Sequence, residues 1–160
     1  MDRQILEAIR EMMTVRRVLS LAVLVDGDPE ASLLPFAVRP DFGAVYVQAS
    51  GLARHSRGLQ PGARVGVLIH DNDAPEADPL QVKRLTVPAT VAVLDRESEA
   101  FAAAREIFVA RFPGAELTLS LGDFNLYELT LGRGRYVAGF AQAFNIGPDT
   151  FKDIAGLETT

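Results

Sequence analysis

The stretch from Phe42 to His70 holds Arg54, His55, Arg57, Arg64 and His70 but no aspartate or glutamate. The chain as a whole leans the other way, with 16 basic and 21 acidic side chains and a formal net charge of -5. Cations and hydroxyls gathered without carboxylates are the chemistry of anion capture. At the centre of the stretch, Ala49 to Arg57 reads as a strand-to-helix junction. Free backbone N–H groups, the Ser50 and Ser56 hydroxyls and arginine guanidinium groups can converge there on a phosphate. The same pattern also describes two solvated helix charges, Arg54 and Arg57, the usual state of exposed arginine. Lys83 and Arg84 stand in a strand-like segment, where alternation sends them to opposite faces. Either one of them reaches a ligand face, or both flank a strand end beside an acidic loop.

Other chemistries lack their residues. There is no cysteine, which removes disulfides, zinc-thiolate sites, iron-sulfur clusters and a thiol nucleophile. His55 and His70 are the only histidines, and neither His-Glu-x-x-His nor Gly-x-Ser-x-Gly occurs. Asp71-Asn72-Asp73 opens like a calcium loop, but Glu76 stands where the turn glycine is required. Gly132-Arg133-Gly134-Arg135 reads more simply as a hairpin turn than as an RNA contact.

The elements that must position these groups follow from periodicity. Ile5, Leu6, Ile9, Met12 and Met13 recur at helical spacing over residues 2–14. Strands are expected over 17–25, 31–38, 44–48, 64–70, 81–94, 124–131 and 135–140, with 71–79 an exposed loop. A short helix is expected over 50–59, capped by Ser50 and anchored by Leu52 and Leu59, and a longer one over 98–112, capped by Ser98 and stopped at Pro113-Gly114. This order predicts a mainly β (α+β) fold, a six- to seven-stranded antiparallel barrel with flanking short helices, built as one domain over 1–160. Apolar residues make up 48% of the chain, enough for a packed core. The acidic balance argues against nucleic acid or anionic lipid as partner. No apolar run approaches a membrane span, so a cytoplasmic location is expected.

Four blocks, in order, resemble a known family. They are Ser32 with Pro35-Phe36; Ser50, Leu52, Ala53, His55, Ser56 and Leu59; Arg84-Leu85-Thr86; and Asp123 to Leu129 with Arg135 to Phe140. Together they are similar to the FMN-binding split barrels of the pyridoxamine 5'-phosphate oxidase-like superfamily, most closely its haem-utilisation branch, from about Arg17 to Ile146. The resemblance implies a homodimer with FMN in clefts between subunits and a small-molecule substrate. The FMN phosphate would lie over Ser50, Arg54, His55, Ser56 and Arg57, with Arg84 reaching the cofactor from its strand and Leu34, Pro35 and Phe36 lying along the flavin ring. The flavin itself would carry electrons or hydride, so no acid-base pair is required of the chain.

The implied function is that of an FMN-dependent oxidoreductase. The alternative is a non-catalytic flavin- or haem-binding protein for haem utilisation, storage or sensing, and a third reading is a barrel kept as an interaction module. Three departures from the family pattern stand out. Gly58 replaces an asparagine, and Pro88-Ala89 stands where a glycine is usual, which suggests a bulge or an edge strand. Haem-degrading relatives use a histidine near the C-terminus as iron ligand, whereas this chain has none after Phe140.

Overall fold

The structure is a computed structural model and describes residues 1–158. Helix α1 (Arg3–Val15) is started by Asp2, whose carboxylate accepts from the Gln4 N–H at 3.1 Å. Strands β1 (Val18–Val25) and β2 (Asp28–Val38) form a hairpin around Asp26-Gly27, and β3 (Ala44–Ser50) continues the meander. A single 3-10 turn, Arg54–Gly58, leads to β4 (Arg64–His70), and another, Pro79–Gln81, precedes β5 (Arg84–Val93). Helices α2 (Glu99–Arg111) and α3 (Ala115–Ser120) follow, then β6 (Phe124–Leu131), β7 (Gly134–Gly139), β8 (Gln142–Ile146) and α4 (Pro148–Ala155).

All the pairings are antiparallel, in the order β4-β1-β2-β3-β6-β5, and β4 pairs with β5 to close a six-stranded barrel. β7 and β8 extend it from β5. The expected antiparallel barrel is present. Alternation in β1 and β4 puts Leu19, Leu21, Val65 and Val67 inside, and α1 inserts Ile9 and Met13 into the same core. Phe151 and Ile154 of α4 join it.

Several local expectations are corrected. β8, α4 and the short α3 are additional elements, whereas α2 ends at Arg111, just before the expected stop at Pro113-Gly114. Gly132-Arg133-Gly134 is not a hairpin turn, because β6 and β7 do not pair with each other. β6 pairs with residues 89–93 of β5 and β7 with residues 84–86, so both run along one edge of β5. Between those two blocks stands Pro88, which is neither bulged nor at an edge. It is where β5 changes partner, so its missing N–H costs no ladder bond on that side, while its carbonyl accepts from Gly132 N–H at 2.8 Å. Lys83 lies outside the strand and Arg84 begins it.

The helices cover the barrel unequally. Phe101, Ala104 and Phe108 of α2 and Leu119 of α3 pack on Ala37, Tyr46 and Leu126, which face outward from β2, β3 and β6. Among the described residues, the outer face of β5, β4, β1 and the first part of β2 has no such roof, and Ala22, Leu24, Ala31 and Leu33 are exposed on it.

Candidate functional site

The 3-10 turn at 54–58 lies against the end of the β1–β2 hairpin, held by short polar contacts. Ser56 is buried and its hydroxyl donates to the Ser50 carbonyl at 2.6 Å. His55 Nδ1 lies 2.8 Å from Ser32 Oγ. Ser50, Arg54, His55, Ser56 and Arg57 therefore do come together.

They come together with acids. Arg54 Nε is 2.6 Å from Glu30 Oε2, Arg57 pairs with Asp26, and Ser50 Oγ donates to Asp123 Oδ2 at 3.1 Å. The stretch without carboxylates in sequence is thus met in space by three carboxylates, two from the β1–β2 hairpin and one from the turn just before β6. Both arginines are exposed and Glu30 is half-buried, so the ion pairs contribute little to stability, but each guanidinium already faces an anion. Ser50 is the last residue of β3 rather than a helix cap; its oxygen accepts from the Leu52 N–H at 3.1 Å. Leu59 anchors the segment, whereas Leu52 is 86% exposed.

The remaining expected residues separate. Leu34 and Phe36 point into the core, at 5% and 0% exposure, so only Pro35 of that trio turns its side chain outward. Arg84 pairs with His70 on β4 and Val137 on β7, and its guanidinium donates to the Val82 carbonyl at 3.0 Å. Among the described residues, the hydrogen bonds of the Arg84 guanidinium go to the Leu80 and Val82 carbonyls and none to the 54–58 turn.

Arg84 instead borders the unroofed face. Register and alternation lay out two rows there, Thr86–Leu68–Ser20–Leu33 and Pro88–Gly66–Ala22–Ala31, none of them charged. Small residues in the second row make the surface flat. A depression of about 270 Å³ lies over these rows, and a groove of about 300 Å³ continues from it through Ser20 and Leu68. The groove has an apolar floor of Val15, Val18, Leu33 and Leu68, and a polar rim of Arg16, Arg17, His70 and Asn72.

The rim is ordered from beneath. Arg111 donates to the Thr14 carbonyl at 2.6 Å and to that of Arg16, and its guanidinium lies over the Phe36 ring. Burial, and then the charge of Arg17, push the Arg111 pKa below its ordinary value. Sequence reasoning passed over this face, although a signal existed. Val18 to Val25 contains no charged residue at either parity, which marks a strand apolar on both sides and therefore an outer surface with something to cover.

No family model matches the chain. The haem oxygenase HutZ of Vibrio cholerae is 30% identical to it over 152 residues, 94% of this chain and 85% of that protein. This chain belongs to the haem-utilisation branch of the pyridoxamine 5'-phosphate oxidase-like split barrels. Solved structures agree with that placement. A haem-binding protein from Mycobacterium smegmatis superposes with a TM-score of 0.80 at 25% identity, covering 96% of this chain and 62% of its own. The V. cholerae protein HutZ, described as a haem storage protein, superposes with a TM-score of 0.70 at 26% identity, over 86% of this chain and 92% of its own. This split barrel thus spans about three fifths of the mycobacterial protein. Among the described residues, no helix is long and apolar enough to cross a membrane.

Proposed function

We propose that the protein is a haem-binding split barrel serving haem utilisation, in preference to the FMN-dependent oxidoreductase that the family resemblance first implies. One observation carries the choice: the arginines expected to receive an FMN phosphate are paired with Glu30 and Asp26, whereas the open groove has an apolar floor and cations on its rim. A flat macrocycle with two carboxylates suits such a surface better than a phosphate ester suits a neutralised cradle. The relatives named for haem point the same way. Bound haem would supply the iron-centred chemistry that the side chains lack.

The test is titration of haemin and of FMN into the purified protein. A saturable Soret change with haemin, and no quenching of FMN fluorescence, is the expected pair of results. Saturable FMN binding without a haemin response would return the protein to the flavin reading.

The unroofed face supports a second element of the proposal, a homodimer. Two copies meeting across Ala22, Ala31 and Gly66 would bury a flat apolar surface, and a self-complementary patch closes by a two-fold axis. Ala22→Arg is expected to convert the dimer to monomer in light scattering. A wild-type monomer would refute the interface.

A further inference from the structure

We infer that His70 supplies the iron-ligating nitrogen and that Arg17 receives a carboxylate of the macrocycle. This rests on the haem reading above and assigns residues to it. Histidine binds iron through a neutral imidazole nitrogen, and the other ring N–H is generally held by a carbonyl or carboxylate that fixes tautomer and orientation.

His70 has that arrangement. Its Nδ1 lies 2.6 Å from the Asp71 carbonyl oxygen. A carbonyl can only accept, so in the neutral ring Nδ1 carries the proton and Nε2 keeps its lone pair. Nε2 has no hydrogen-bond partner among the described residues. The carbonyl is itself fixed, because Asp71 N–H donates to the Lys83 carbonyl at 2.9 Å and the Asp71 carboxylate lies 3.2 Å from Arg16 Nε. His70 is exposed at the end of β4 and lines the groove beside Val18 and Leu68.

The other histidine lacks these features. His55 Nδ1 is engaged by Ser32, and its Nε2 is enclosed in protein without a partner. A ligand reaching it would have to displace the 54–58 turn.

The cations sort in the same way. Arg16 is held by Asp71 and by Asn72 Oδ1 at 3.2 Å. Arg17 makes no ion pair among the described residues and rests over the Phe112 ring, 5.4 Å from its centroid. It is the rim guanidinium left to meet an anion.

The experiment compares ferric haem spectra of the full chain with those of His70→Ala, His55→Ala and Arg17→Ala, each checked by circular dichroism for retained fold. Wild type and His55→Ala are expected to share one Soret band and one nitrogen-ligated electron paramagnetic resonance signal. His70→Ala should lose that signal and bind haemin at least about tenfold more weakly, and added imidazole should restore the spectrum. Arg17→Ala should weaken binding about fivefold without moving the band. A His70→Ala spectrum superimposable on that of a haem-binding wild type would overturn the assignment and leave the haem reading standing. Loss of the signal in His55→Ala alone would transfer the role to His55. A wild type with no haemin affinity would remove both.

Discussion

Phe36→Ala is expected to destabilise the protein by about 3–5 kcal/mol, measured by urea unfolding. Phe36 is fully buried in the barrel core, is registered against Val47 of β3, and donates its backbone N–H to the Arg17 carbonyl at 3.1 Å. Truncation removes the transfer energy of the ring and leaves a cavity that a closed barrel cannot collapse to fill. It also strips the apolar support from the Arg111 guanidinium, 5.7 Å above the ring centroid, and so loosens the two carbonyls that precede the groove. The result separates two roles for one residue. A side chain lining a cofactor would, when cut back, reduce ligand affinity more than stability. Phe36→Ala should do the reverse, and an unfolding midpoint unchanged from wild type would show the ring outside the core.

Gly58→Ala is expected to cost about 1–3 kcal/mol and to release the 54–58 turn from the barrel. A Cβ at this position would stand 2.4 Å from the Leu24 carbonyl oxygen and 2.4 Å from Val23 Cγ2, and the first of these is backbone that cannot step aside. The turn must then lift off β1, stretching the bond from Ser56 to the Ser50 carbonyl and the contact of His55 with Ser32. Faster amide exchange confined to residues near 54–59, together with the lower unfolding free energy, would mark that event. Gly114→Ala provides the contrast: its φ is -63° and nothing lies within 4 Å of an added Cβ, so little change is expected. If both substitutions behaved alike, close packing of the turn on β1 would be refuted. A side chain at the Gly58 position has no room here, so the glycine permits the close approach of this turn to its strand.

Much of the fold was legible because its signals are local. Alternation along Val18–Val25 and Arg64–His70, helical spacing over the first helix, and Ser98, which caps α2 by accepting from the Phe101 N–H, all act within a few residues and need no knowledge of the rest. β8 and α4 escaped because Gln142–Ile146 is short and mostly exposed, and α4 spans only eight residues. The Gly132–Gly134 connection misled for a different reason. Two strands separated by glycines specify a change of direction but not which edge receives the second strand. That choice was made by β5, where Pro88 leaves a gap and Gly134 fits only because it has no Cβ, which would lie 2.2 Å from the Thr86 carbonyl oxygen.

The same division runs through the site. By itself the sequence determined an antiparallel barrel, its family, and a cluster of Ser50, Arg54, His55, Ser56 and Arg57 on one short segment, since neighbours in sequence stay neighbours in space. Only the tertiary structure decided what faces that cluster. Asp26, Glu30 and Asp123 are distant in sequence, and strand pairing carries them to the arginines and to Ser50. Val15, Leu33 and His70 come from three separate elements that β-sheet register sets around one groove. Electrostatic and apolar contacts act over a few ångströms of space, so a run without acids in sequence leaves open what charge surrounds it once the chain has folded.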